Sequence, residues 1–200
     1  SCGTATKEDR GAAQSPAATA GSTADHNTDD VMFAQLMIPH HQQAIEMADI
    51  VLAKDGLDPA VAELAQQIKD AQGPEMERML GWLDDWGVEY EPDDMGGMDH
   101  GSMDDSGDGM MSEEDMATLE EADATQASRI FLEQMIVHHD GAVDMARTAL
   151  EDGQNQDVLD LAQQVIDDQT AEISTMQDLL NELRSTPGGP TLDTTRPAPA

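Results

Sequence analysis

Aromatic residues make up only 2% of this 200-residue chain. No stretch alternates β-branched and aromatic residues at period two, so the signature of a sheet protein is missing. A core must therefore be built from Leu, Ile, Val, Ala and an unusual 14 Met. Cysteine is almost absent as well: Cys2 is alone, which excludes an internal disulfide. No apolar run approaches the ~20 residues that a membrane-spanning helix needs. Basic residues are scarce, with 9 Lys and Arg against 42 Asp and Glu, and none lies between Arg78 and Arg129. The resulting net charge of −33 repels phosphate backbones and anionic headgroups, which argues against nucleic acid and against electrostatic membrane docking. It concentrates cations near the surface without selecting one; solubility alone accounts for much of it.

The place of the lone cysteine is informative. Ser1-Cys2-Gly3 resembles the cleavage end of a bacterial lipoprotein signal, in which the cysteine after a small residue becomes lipidated. That reading makes Cys2 a lipidation site and the protein extracytoplasmic, in a bacterial cell envelope, with the membrane reached only through a lipid anchor. Residues 1–29 then form a flexible tether of Ala, Thr, Ser and Gly.

The strongest signal is an internal repeat. FAQLMIPHHQQAIEMA (33–48) matches FLEQMIVHHDGAVDMA (131–146) at a constant shift of 98. LAQQIKDAQ (64–72) then matches LAQQVIDDQ (161–169) at a shift of 97, followed by Glu75 with Glu172 and Met79 with Met176. Two ordered matches in series mark a duplicated unit.

Each unit reads as helix, turn, helix. Phe33, Met37, His40, His41, Ala44, Ala48 and Val51 recur at three- and four-residue spacing, forming one stripe. Thr28, Asp29 and Asp30 are N-cap candidates, and Asp58-Pro59 places a capping side chain before a proline at the first helical position. The second helix carries Ala65, Ile68, Gln72, Met76, Met79 and Leu83 and stops at Gly87. The second unit repeats the pattern with Phe131, Met135, His138, His139, Ala142 and Ala146, then Leu161, Val165, Gln169, Ile173, Met176 and Leu180. The expected fold is all-α: a four-helix bundle of two duplicated hairpins (30–87 and 125–186) joined by a long acidic crossover (88–124). Ser112 with Asp115 predicts a short extra helix within that crossover, and 187–200 reads as a disordered tail. Pro39 and Gly73-Pro74 predict disturbances of the first two helices.

Antiparallel pairing about a turn near Gly56 sets His40 opposite Gln72 and Met37 opposite Glu75. A turn between Gly153 and Gln154 likewise sets His138 opposite Gln169 and Met135 opposite Glu172. Each unit is thus expected to bury a layer of Met, His, His, Gln and Glu, and buried polar groups are costly unless paired or liganded. A hydrogen-bonded network fixing helix register is one explanation; a metal site, with the Gln and Glu in support, is the other. Di-iron bundles use Glu-x-x-His, which this chain lacks, having Met37-x-x-His40 and Met135-x-x-His138 in its place. Thioether and imidazole together suit Cu(I) or Ag(I) better than iron, zinc or magnesium. Met47 and Met145 lie two turns beyond His40 and His138, about 10 Å along the axis, and serve either a second site or the core.

The crossover adds Met95, Met98, His100, Met103, Met110 and Met111 within a Gly- and Asp-rich stretch (95–111). These methionines are expected to have no core to join, and their spacing around a histidine suits a flexible strand that captures Cu(I).

The motifs MIPHHQQAIEMA and MIVHHDGAVDMA, with the Gln-x-x-Glu-x-x-x-Met segments that follow, resemble the domain-of-unknown-function family 305, over about residues 31–184. The resemblance implies a ferritin-like four-helix bundle and, for exported members of the family, copper binding through Met37, His40, His41, Met135, His138 and His139. The expected function is sequestration or transfer of copper outside the cytoplasmic membrane, with a copper-exchanging protein as partner. The alternatives are a ferritin-like redox enzyme, which the missing Glu-x-x-His pairs disfavour, and a metal-free interaction module.

Overall fold

The computed structural model describes residues 25–90 and 109–185. Among them the chain forms helices α1 (Thr28–Leu52), α2 (Pro59–Asp85), α3 (Glu113–Glu121), α4 (Ala124–Asp152) and α5 (Gln156–Ser185), with no strand. Cys2, Met95, Met98, His100 and Met103 lie outside the described residues, as do most of the tether and the tail.

Capping side chains start each long helix. Asn27 caps α1 and exchanges hydrogen bonds with Asp30 in a capping box, so the helix begins at Thr28, inside the stretch read as tether. Thr28, Asp29 and Asp30 are therefore helical, with Asp30 as the reciprocal member of the box and not the cap. Asp58 caps α2 ahead of Pro59, and Ser112 with Asp115 forms the expected box on α3. Both α1 and α2 run unbroken through Pro39 and Pro74. Gly56 and Gly87 take the positive φ that ends α1's turn and α2.

α1 and α4, the histidine helices, pack against each other at the centre, while α2 lies on α1 and α5 on α4, and α2 hardly meets α5. α1 and α4 are antiparallel, because Asn27 at the start of α1 donates its side-chain N–H to the carbonyl of Asp152 at the end of α4. The apolar core falls into two clusters. One holds Met47, Val51, Ile68, Phe131, Met135 and Met176; the other holds Phe33, Met37, Met79, Leu83, Leu161 and Val165. Met76 and Ile173 from the expected stripes are only half-buried, and Glu75 takes the inward place beside Met76.

The short α3 breaks the symmetry. It lies over α1 and α4 beside the first cluster, burying Leu119 and packing Met116 there, with Met111 just ahead of it. Lys54 donates to the carbonyls of Glu120 and Ala122, near the C-terminal end of α3, where carbonyls lack helical partners. The equivalent groove on the other side, lined by Met32, Phe33, Leu36, Met145 and Ala149, has no such cover among the described residues.

Candidate functional site

Between the two apolar clusters lies one polar layer. His40, His41, Gln72, Glu75, His138, His139 and Gln169 are all buried there, and each histidine is at most 1% exposed. The sequence suggests two histidine layers, one per unit. Folding joins them, because the antiparallel crossing of α1 and α4 brings the His40 and His138 rings to 3.7 Å between centroids.

The layer is built alike on both sides. His41 Nε2 lies 2.8 Å from Glu75 Oε2, and His139 Nε2 lies 2.6 Å from Glu172 Oε2. It is thus the second histidine of each pair that meets the glutamate one helix away. Several other polar atoms of the layer are left without a hydrogen bond. Neither His138 nitrogen has a hydrogen-bond partner among the described residues, nor does Nδ1 of His41 or His139, nor the side-chain oxygen of Gln72 or Gln169. Burial, and then the proximity of His40, His139 and His41, holds the His138 pKa well below the usual value near 6.5, so the ring is neutral. A neutral imidazole in an apolar surround with both nitrogens unused is costly as pure structure and suited to a soft cation.

Met37 and Met135 are fully buried one turn before His40 and His138 and flank the layer from opposite sides, Met37 in one apolar cluster and Met135 in the other. Met47 is fully buried and Met145 only half-buried, so this repeated pair occupies unlike settings. Among the described residues no three His, Cys, Asp or Glu side chains are grouped to hold a metal. That holds for the four histidines of the layer as it does for the carboxylates.

The crossover methionines divide. Met111 does join a core, contrary to the expectation for the whole stretch: it packs on the first cluster, donates its N–H to Gln43 Oε1 at 2.7 Å and accepts from Gln43 Nε2 at 2.9 Å. Met110 beside it is half-buried. Just before them, Gly109 at φ +75° lies on the α4 backbone, where an added Cβ would stand 2.5 Å from the Val137 carbonyl and 3.1 Å from that of His138. The cause is visible in the repeat, since Gln43 corresponds to Gly141. One side chain ties the crossover down and the missing one lets it approach.

Sequence reasoning missed the outer edge of the layer. Gln164 of α5 donates to Glu75 Oε1 at 2.8 Å across to α2. Asp168, one turn on, stands with Glu75 and Glu172. Partial desolvation, then repulsion from Glu75, Glu172 and Asp167, raises its pKa from the ordinary aspartate value, while the hydrogen bond from Gln164 lowers it. The repeat gave no hint of Asp168, because Ala71 occupies the matching position. His26, ahead of α1, stacks on Trp86 at 4.4 Å.

Residues 30–180 match the family model described as domain of unknown function DUF305. No curated protein matches the chain. Among solved structures, a DUF305 fragment from Deinococcus radiodurans is 33% identical with a TM-score of 0.68, covering 80% of this chain and 99% of that one. A DUF305 protein from Streptomyces coelicolor, described as secreted, is 34% identical with a TM-score of 0.69, covering 78% and 94%. CopM in its Cu(I)-bound form is 28% identical with a TM-score of 0.61, covering 76% and 96%, and CopM has also been solved with Cu(II) and with Ag.

Proposed function

We propose, from the premise that the chain belongs to the DUF305 family, that it is an extracytoplasmic copper-binding protein that sequesters or hands on Cu(I), and takes Ag(I) in the same way. The observation that carries this reading is the central layer: four buried histidines, with His138 unpartnered at both ring nitrogens, between two buried thioethers. His40, His41, His138 and His139, with Met37 and Met135, would hold the ion. Gln72, Glu75, Gln169 and Glu172 would orient the ligands, as partners behind metal-bound imidazoles do. Imidazole and thioether donors favour a soft monovalent ion. The copper- and silver-bound states of CopM and the secreted description of the Streptomyces relative support the reading. The second set, Met95, Met98, His100, Met103 and Met110 of the crossover, would capture ions for exchange with a partner protein, and a lipid on Cys2 would hold the chain at the membrane.

The metal-free reading has its own observation, the two His–Glu contacts, which would fix the register of α1 on α2 and α4 on α5. It accounts for His41 and His139 and leaves His138 without a role.

The test is metal analysis and chelator competition after separate exposure to Cu(I), Ag(I), Cu(II), Zn(II) and Fe(II). Tight Cu(I) and Ag(I) binding, reduced by His138→Leu, is expected. Tight Zn(II) or Fe(II) binding with negligible Cu(I) affinity would overturn it.

A further inference from the structure

The histidine layer is closed on the α1–α4 side by packed helices but thinly closed between α2 and α5, which hardly touch. Three carboxylates stand along that seam. Glu75 and Glu172 reach inward to His41 and His139, and their side chains remain 9% and 22% exposed, while both histidine side chains are wholly buried. Asp168 is exposed on the same face of α5, one turn after Gln164, which donates to Glu75, and one turn before Glu172. One turn before each glutamate, Gln72 and Gln169 are 3% exposed, and their side-chain oxygens have no donor. Carboxylate oxygens at the surface, unsatisfied carbonyl oxygens beneath and, innermost, the one unprotonated nitrogen of each neutral imidazole make a graded series of acceptors. Only a cation or a chain of water would satisfy them all.

We propose that Glu75, Asp168 and Glu172 form the entrance through which monovalent soft cations reach the histidine layer; this rests on the copper-binding reading above. The carboxylates attract the ion by charge and hold it weakly, since oxygen donors suit Cu(I) and Ag(I) poorly. His41 and His139 donate Nε2–H to Glu75 and Glu172, so the unpartnered Nδ1 of each ring is the first softer donor it meets. Asp168 takes no part in the two His–Glu contacts, and its repeat counterpart is Ala71.

The experiment is rapid mixing of the full chain with Ag(I), quenched by a chelator, counting bound silver against time at low and high salt. Uptake outside the layer is taken from the His138→Leu variant and subtracted. Asp168→Asn is expected to slow loading of the layer several-fold at low salt, to lose that deficit at high salt and to reach the wild-type stoichiometry. Asp157→Asn, an equal charge loss elsewhere on α5, should load at the wild-type rate. Equal rates for Asp168→Asn and wild type, or equal slowing by Asp157→Asn, would overturn the entrance while leaving copper binding intact. Slowing by Met32→Leu instead would place entry at the groove of about 140 Å³ between α1 and α4 and would overturn it too. A wild-type layer that takes up no silver at all would overturn the binding reading itself.

Discussion

The carboxylate of Asp30 accepts the backbone N–H of Asn155 on both of its oxygens, at 3.1 Å each. It also accepts from Gln154 and from Asn27, and it is fully buried. Asn155 is itself the residue whose side chain accepts from the first turn of α5. The start of one histidine helix thus anchors the second helix of the other unit. The repeat counterpart does the same with a weaker group, since Ser128 Oγ accepts from the N–H of Asp58, the cap of α2, at 3.3 Å.

Asp30→Ala should accordingly cost about 3 kcal/mol, because it strands several donors at a buried turn, whereas Ser128→Ala should cost about 1 kcal/mol. Chemical denaturation of the two variants checks the ordering. Equal losses would mean that the Asp30 contacts are replaced by water.

Gly109→Ala should detach the end of the crossover from α4. A left-handed backbone with a Cβ costs about 1–2 kcal/mol before the contact with the Val137 carbonyl is counted. Amide exchange at Met111, held by Gln43, should accelerate, with the helices of the bundle unchanged.

The two kinds of histidine should respond differently in metal-free protein. His138→Leu removes no hydrogen bond and should leave stability equal or raised, since an apolar side chain is easier to bury than an imidazole. His41→Leu strands one oxygen of Glu75 and should cost about 1–3 kcal/mol. Thermal unfolding in the presence of a chelator separates them, and both should lower Ag(I) stoichiometry at the layer.

Metal-free protein should lose stability as pH falls below about 6.5. The folded pKa of His138 is depressed, so in that window the unfolded chain binds the proton and the folded chain does not. The measurement is the difference between wild type and His138→Leu across pH 7 to 5. The wild type should fall more steeply, and parallel curves would contradict the neutral, unpartnered ring.

Deleting residues 95–108 should lower the number of Cu(I) ions bound while sparing the layer. The deletion stops short of Gly109 because the next residues are docked on α1 and α4. Unchanged stoichiometry would remove the crossover from the copper-binding reading.

The repeat made most of this architecture legible in advance. Apolar and histidine positions recur at helical spacing, and a stripe with that period can be buried in only one way. Hence Phe33, Met37, His40, His41 and their partners at Phe131, Met135, His138 and His139 are buried. Gly56, Gly87 and Asp58-Pro59 marked the turns because backbone sterics at those residues act locally. Met111 departs from the expectation because composition shows that a segment lacks a pattern but not that its last residues touch a core.

What the sequence by itself determined is the set of helices, their inward faces and the buried Met, His and Gln that each hairpin brings to one level. These follow from local periodicity and from antiparallel register, which need only neighbouring helices. Only the tertiary structure decided how the two hairpins cross, and that crossing places His40 against His138, merges two layers into one and sets Asp168 of α5 beside Glu75 of α2. It also decided which groove α3 covers. Such contacts join residues with no shared period, and they sit where the repeat is broken: Gln43 against Gly141, Ala71 against Asp168. Periodicity fixes the face each helix buries, whereas the partner of that face is set by packing across the whole bundle.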